Sequence, residues 1–329
     1  MNTYMISMLA GSIVIFALYG LCGAKFDRGT HFMKRPWLTA LLSFAFSVLF
    51  GVVLSRITYA LLMQELDFEY DGIDALKELL NFEISNVSFI GGALGVFLGV
   101  LLANRLTRKG KTLVGMDIFA PFGALLTALF RAGEMGFGSF GAGEMLPQDS
   151  PLSVFPFALN VTVDGGYSYW AWNISMLSAV LAVACAVVSF VVLRSHGRVG
   201  LTATVTIFFL ALPQIFCESL RKRGMFWLFV HAEEVIFGII AVVIMFVWII
   251  GSGKRLPFLR RWAPFIITVI CGGLLIPVEF AIDGKLFDLS HGVCYAVMLV
   301  LLAAIGAAGV ISARRWNAEP ALADKTEKA

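Results

Sequence analysis

The sequence predicts an all-α, polytopic helical membrane protein with about nine transmembrane helices. Three observations carry that expectation. The 329 residues are 59% hydrophobic and 14% charged, against about 25% charged in ordinary globular domains. Uncharged runs repeatedly approach the roughly 20 residues that cross a hydrocarbon core about 30 Å thick, where only a helix satisfies its own backbone polar groups. The connecting loops alternate in charge, and basic loops stay on the cytoplasmic side.

Taken in order, the spans are expected near 5–23, 38–63, 87–104, 112–131, 169–193, 201–220, 226–250, 263–282 and 291–312. No basic residue precedes the first, whereas Lys25, Arg28, Lys34 and Arg35 follow it. A cleaved leader has the reverse order, so this reads as an anchor with its amino terminus outside. Loop 64–86 is acidic, and 105–111 (RLTRKGK) is basic. Loop 132–168 is acidic and rich in Gly and Pro, and the next connection holds Arg194 and Arg198. Segment 251–262 is basic, 283–290 is mildly acidic, and Arg314 and Arg315 open the tail. This alternation puts the carboxyl terminus in the cytoplasm. The polar residues 316–329 read as a disordered tail.

Within 71–83, Ile73, Leu76, Leu79 and Leu80 are spaced for an amphipathic helix on the outer surface, or equally for a solvated connector with a few apolar contacts. One loop departs from the charge pattern. ESLRKRG places Arg221, Lys222 and Arg223 on the face that the other loops assign to the exterior. Cysteines 22, 185, 217, 271 and 294 lie in or beside apolar spans without CxxC spacing, as small buried hydrophobes do.

The residues able to carry chemistry are the charges at membrane depth, each costing a few kcal/mol (about 2.5–3.5 on insertion scales). Arg131 ends an apolar segment and runs into the glycine-rich FRAGEMGFGSFGAGEM. Its guanidinium fork and the loop's backbone N–H groups suit a phosphate; a snorkelling boundary arginine is the alternative. Glu134, three residues on, either orients Arg131 or takes up a proton. Gln214, Glu218 and Arg221 follow at steps of four and three on one helical face, as a structural ion pair or as members of a site. His231, Glu233 and Glu234 open the seventh span. No second His or Cys stands at ligand spacing there, so no metal is expected. Glu279 and Asp283 are further acids near the outer end of the eighth span.

These residues fall in segments that resemble the prolipoprotein diacylglyceryl transferase family. NVSFIGGALGVFLGVLLANRLTRKGKT is similar to the family's SFHGG segment and its basic loop. MDIFAPFGALLTALFRAGE is similar to its D-x-x-AP stretch and R-x-G-N motif, and FCESLR to its E-x-x-R element. The chain departs at Ile90, Glu134 and Gln214, where the family has histidine, asparagine and arginine, and it lacks the His-Pro element before the fifth span.

The resemblance implies a transferase-like membrane domain over 1–250 with two additional helices over 251–315, in a bacterial inner membrane. It implies transfer of diacylglyceryl from phosphatidylglycerol to the thiol of a lipobox cysteine in lipoprotein biogenesis, without a cofactor or a nucleic-acid partner. It assigns Arg131 and Gly133 to the headgroup motif, Glu144 loosely to that motif's trailing acid, and Glu218 with Arg221 to the late motif. Because Ile90 cannot take the thiol proton, Glu134 beside Arg131 is the expected base and His231 the second candidate. The expected site is therefore Arg131, Glu134 and Glu218 as catalytic residues, with Gly133, Glu144, Gln214, Arg221 and His231 binding substrate. A lipid-binding or transport protein that lost the chemistry, or a transferase with another acceptor, is the alternative.

Overall fold

The structure, a computed structural model, describes residues 3–25, 35–62, 87–107, 112–147, 149–163, 167–195, 197–222, 226–227, 230–252, 257–282 and 289–327. Among them are nine helices long and apolar enough to cross a membrane. They are α1 (Thr3–Lys25), α2 (Pro36–Leu62), α3 (Phe89–Thr107), α4 (Thr112–Gly133), α5 (Ile174–Arg194), α6 (Leu201–Ser219), α7 (Ala232–Gly251), α8 (Phe258–Ile282) and α9 (His291–Glu327). The protein is therefore an all-α, multi-pass membrane protein. The segment 71–83, Arg223 and Asp283 lie outside the described residues. Side chains such as Leu41, Val191 and Val300 stay 64–69% exposed, an apolar surface suited to acyl chains rather than to water.

Helices in lipid gain little from the hydrophobic effect and associate where small residues let backbones touch. Gly91, Gly95 and Gly99 recur at every fourth position of α3, and a Cβ on Gly95 would lie 2.4 Å from the Gly51 backbone nitrogen. α2 and α3 thus pack backbone to backbone. On α4, Gly133 instead makes room for a side chain of α1, since a Cβ there would run into the thioether of Met8.

α4 and α6 are the most enclosed spans. The start of α6 is fixed by α4. Gly200 adopts φ 88°, and the buried Asp117 accepts from Gly200 N at 2.7 Å and Ala203 N at 2.9 Å. A carboxylate there satisfies orphan N–H groups and complements the helix dipole. Further along, Pro213 has no N–H for the Phe209 carbonyl one turn earlier. Cys185 Sγ donates to that carbonyl instead, at 3.2 Å. α6, α7, α8 and α9 share one core that contains Phe208, Met245, Trp248, Leu275, Met298 and Trp316, so the two carboxyl-terminal helices pack directly on the α6–α7 pair.

Several boundaries shift from the sequence expectation, two of them because short strands intervene, while α8 starts five residues early, at Phe258. YSYWAWN forms β3 (Tyr167–Asn173), paired with β1 (Ala142–Met145) and β2 (Ala158–Val163) in an antiparallel sheet of order β1-β3-β2. Four of its seven residues are aromatic, a composition that favours a strand. α5 begins only after Asn173, whose side chain caps it by accepting from Met176 N at 3.1 Å. Likewise a short hairpin, β4 (Phe226–Trp227) and β5 (Val230–His231), occupies the expected start of the seventh span. At the other terminus, the α9 backbone stays helical to Glu327, through residues whose composition reads as disordered.

Candidate functional site: an ion cluster at one end of the bundle

The carboxyl ends of α4 and α6 and the amino ends of α3, α5 and α7 meet at one end of the bundle, around Arg131. Arg131 is fully buried. Its Nε donates to Gln214 Oε1 at 2.8 Å and its Nη1 to Glu134 Oε1 at 2.7 Å. Its Nη2 donates to Glu218 Oε1 at 2.8 Å and to Glu233 Oε2 at 3.2 Å. The Phe89 ring lies against the guanidinium, 3.8 Å from Cζ to the centroid. Four acceptors thus meet a group with five N–H donors. Of the two sequence readings of Arg131, the snorkelling boundary residue is not what the structure contains.

Glu134 is shared. Its Oε2 accepts from Arg221 Nη2 at 2.6 Å and from Ser175 Oγ at 3.3 Å. Arg221 Nε lies 3.5 Å from Glu218 Oε1, beyond a well-formed hydrogen bond. Arg221 follows the membrane-spanning part of α6. Burial opposes its charge, but Glu134 and Glu218 outweigh burial and hold its pKa above the ordinary arginine value. The cluster holds three carboxylates, Glu134, Glu218 and Glu233, against two guanidiniums.

Two buried donors are left over. Gln214 Oε1 accepts from both Arg131 Nε and Ser178 Oγ, the latter at 2.9 Å. An arginine Nε can only donate, so that atom must be the amide oxygen. Gln214 Nε2, with Arg221 Nε, is then a buried nitrogen without a hydrogen-bond partner among the described residues. Buried polar groups are nearly always satisfied, so each such donor calls for an acceptor.

Among the residues singled out in the sequence, Arg131, Glu134, Gln214, Glu218 and Arg221 come together. His231 borders them, with Nδ1 2.7 Å from the backbone oxygen of Glu218. Gly133 and Glu144 stand apart. Gly133 packs on Met8, and Glu144, on β1, pairs with the exposed His291 at 2.7 Å. That pair edges a cavity of about 380 Å³ whose walls include Trp172, Leu177, Leu220 and Tyr295. The roles of Glu233, Ser175, Ser178 and Phe89 are missed by sequence reasoning. Only Glu233 gave a signal, as an acid in the first turn of an apolar span that needs a partner elsewhere.

Four sequence segments thus converge on one guanidinium: Phe89 from SFIGG, Arg131 itself with Glu134 from RAGE, Gln214 and Glu218 from α6, and Glu233 from α7. No protein-family model matches the chain, and no curated protein does.

Proposed function

We propose that the protein is a membrane transferase that engages the headgroup of an anionic phospholipid, in the manner of a phosphatidylglycerol:prolipoprotein diacylglyceryl transferase. One observation carries the reading. Gln214 Nε2 and Arg221 Nε are buried N–H donors without a hydrogen bond among the described residues, and they lie on either side of Glu218 in sequence. Phosphate or ester oxygens are the acceptors such donors fit, and a guanidinium binds them with charge assistance.

In the reaction, the acceptor thiolate forms a C–S bond to the glyceryl carbon, the C–O bond breaks, and glycerol phosphate departs with the electron pair. Arg221, the less committed guanidinium, neutralises the leaving phosphate. Arg131, already bonded to four acceptors, is a positioning residue that holds Glu134, Gln214, Glu218 and Glu233 in register. The thiol proton goes to the carboxylate cluster, where one negative charge is in surplus over the two arginines. The charge pattern of the loops supports a topology with this end of the bundle outside, and the resemblance to the transferase family implies a bacterial inner membrane.

A specific observation favours a second reading, a lipid-binding or transport protein without transfer chemistry. Ile90 stands where the resembled family has histidine, and it is buried in the apolar core shared by α6 to α9. Incubation of the purified protein with labelled phosphatidylglycerol and a lipobox peptide separates the two. Labelled diacylglyceryl-peptide supports transfer; lipid retained without product supports binding; neither overturns both.

A further inference from the structure

His231, Glu234 and Glu279 form a second polar group beside the ion cluster, and the reaction proposed above uses none of them as reactants. All three are buried, and one imidazole nitrogen and one carboxylate oxygen from each glutamate lie within 4.8 Å of one another. They come from three places in the chain's order: His231 from β5, Glu234 from the first turn of α7, and Glu279 from the last turns of α8.

Contacts outside the trio orient it. His231 Nδ1 is 2.7 Å from the Glu218 backbone oxygen. A carbonyl only accepts, so Nδ1 carries the hydrogen and the lone pair that a metal needs resides on Nε2. Ser219 Oγ donates to Glu279 Oε2 at 2.7 Å. Both contacts have the form of a metal site's outer shell. A ligating histidine donates its other ring N–H to a carbonyl or carboxylate, and a ligating carboxylate is itself hydrogen-bonded.

We propose that His231, Glu234 and Glu279 bind a divalent transition-metal ion of the Zn²⁺ or Mn²⁺ class, which ties α8 to the α6–α7 corner behind the ion cluster. The imidazole disfavours Ca²⁺ and Mg²⁺, which take oxygen ligands, and the lack of thiolate disfavours Cu⁺. Three protein ligands leave at least one position for water or a ligand oxygen. The site stands whether or not the lipid reading holds, because its ligands and its test are separate from lipid transfer.

The test uses the full chain purified in detergent, stripped with a chelator and titrated with Zn²⁺ and, separately, Mn²⁺. Metal content is read by elemental analysis, and the thermal midpoint is read with and without metal. We expect about one ion per chain with a metal-dependent rise in midpoint. Glu279→Gln loses both. Ser219→Ala keeps all three ligands and binds about 10- to 100-fold more weakly. X-ray absorption on the Zn²⁺ form of the unaltered chain, which needs no variant to fold, shows one nitrogen and two carboxylate ligands. The proposal is overturned by metal at the level of a blank, by binding that Glu279→Gln leaves unchanged, or by a spectrum without imidazole. The same geometry would then be an imidazolium paired with two glutamates.

Discussion

Glu134 joins two guanidiniums, with Oε1 2.7 Å from Arg131 Nη1 and Oε2 2.6 Å from Arg221 Nη2. It is the one carboxylate that holds both arginines by short contacts, and it links α4 to the residues just beyond α6.

Removal of one partner from a buried ion network leaves the others uncompensated, at about 3–5 kcal/mol. Glu134→Gln is therefore expected to lower the thermal midpoint in detergent substantially, and Arg131→Ala to do at least as much. A midpoint within error of the unaltered protein for Arg131→Ala would contradict the four contacts described.

The two arginines differ in how many acceptors they hold, and so should their substitutions. Arg131→Lys keeps a charge but cannot reach four acceptors with three donors, so both stability and lipid transfer fall. Arg221→Lys gives up one short contact, and its loss is expected mainly in turnover with labelled phosphatidylglycerol. Equal effects of the two substitutions on stability would remove the distinction between positioning and binding.

Gln214→Leu leaves Arg131 Nε and Ser178 Oγ without their shared acceptor, a cost of about 1–3 kcal/mol for buried donors. The thermal midpoint reports it. Lipid binding should weaken as well, since the unmatched Nε2 is lost along with the oxygen.

Glycine on α3 offers a test with an internal control. Gly95→Val pushes a side chain into the α2 backbone, where even a Cβ comes within 2.4 Å, and overpacking of this kind costs about 1–3 kcal/mol or more. Gly272→Ala on α8 meets nothing within 4 Å and is expected to be neutral or to gain up to about 1 kcal/mol from helix propensity. Unfolding monitored in detergent compares the two directly.

The exposed Glu144–His291 pair, with side chains 39% and 53% accessible, is expected to contribute less than about 1 kcal/mol. His291→Ala should therefore leave the midpoint almost unchanged, and a large drop would show that the cavity edge carries load.

The spans were legible because hydrophobic length is a local property, and Arg131 was legible because a charge beside a long apolar run has few innocent explanations. Gln214 and Glu218 followed from helical spacing, whereas Arg221 lies just beyond the end of α6. YSYWAWN was read as the start of a span because its apolar count outweighed its strand-favouring aromatic composition. Contacts between distant segments were not legible. Phe89 under Arg131 and Glu279 beside His231 depend on how helices far apart in sequence meet; Phe89 gave no signal, and Glu279, an acid in an apolar span, signalled a partner without showing which. Glu144 shows the converse: its place in a promising glycine-rich loop suggested the site, but β1 carries it away from Arg131 to pair with His291 at the edge of a cavity.

Asp117 belongs to a helix that leaves the ribosome before α6 does, yet it supplies the stop that defines where α6 begins. The later helix, which brings Gln214 and Glu218, is thus anchored at its first turn by a side chain from an earlier part of the chain.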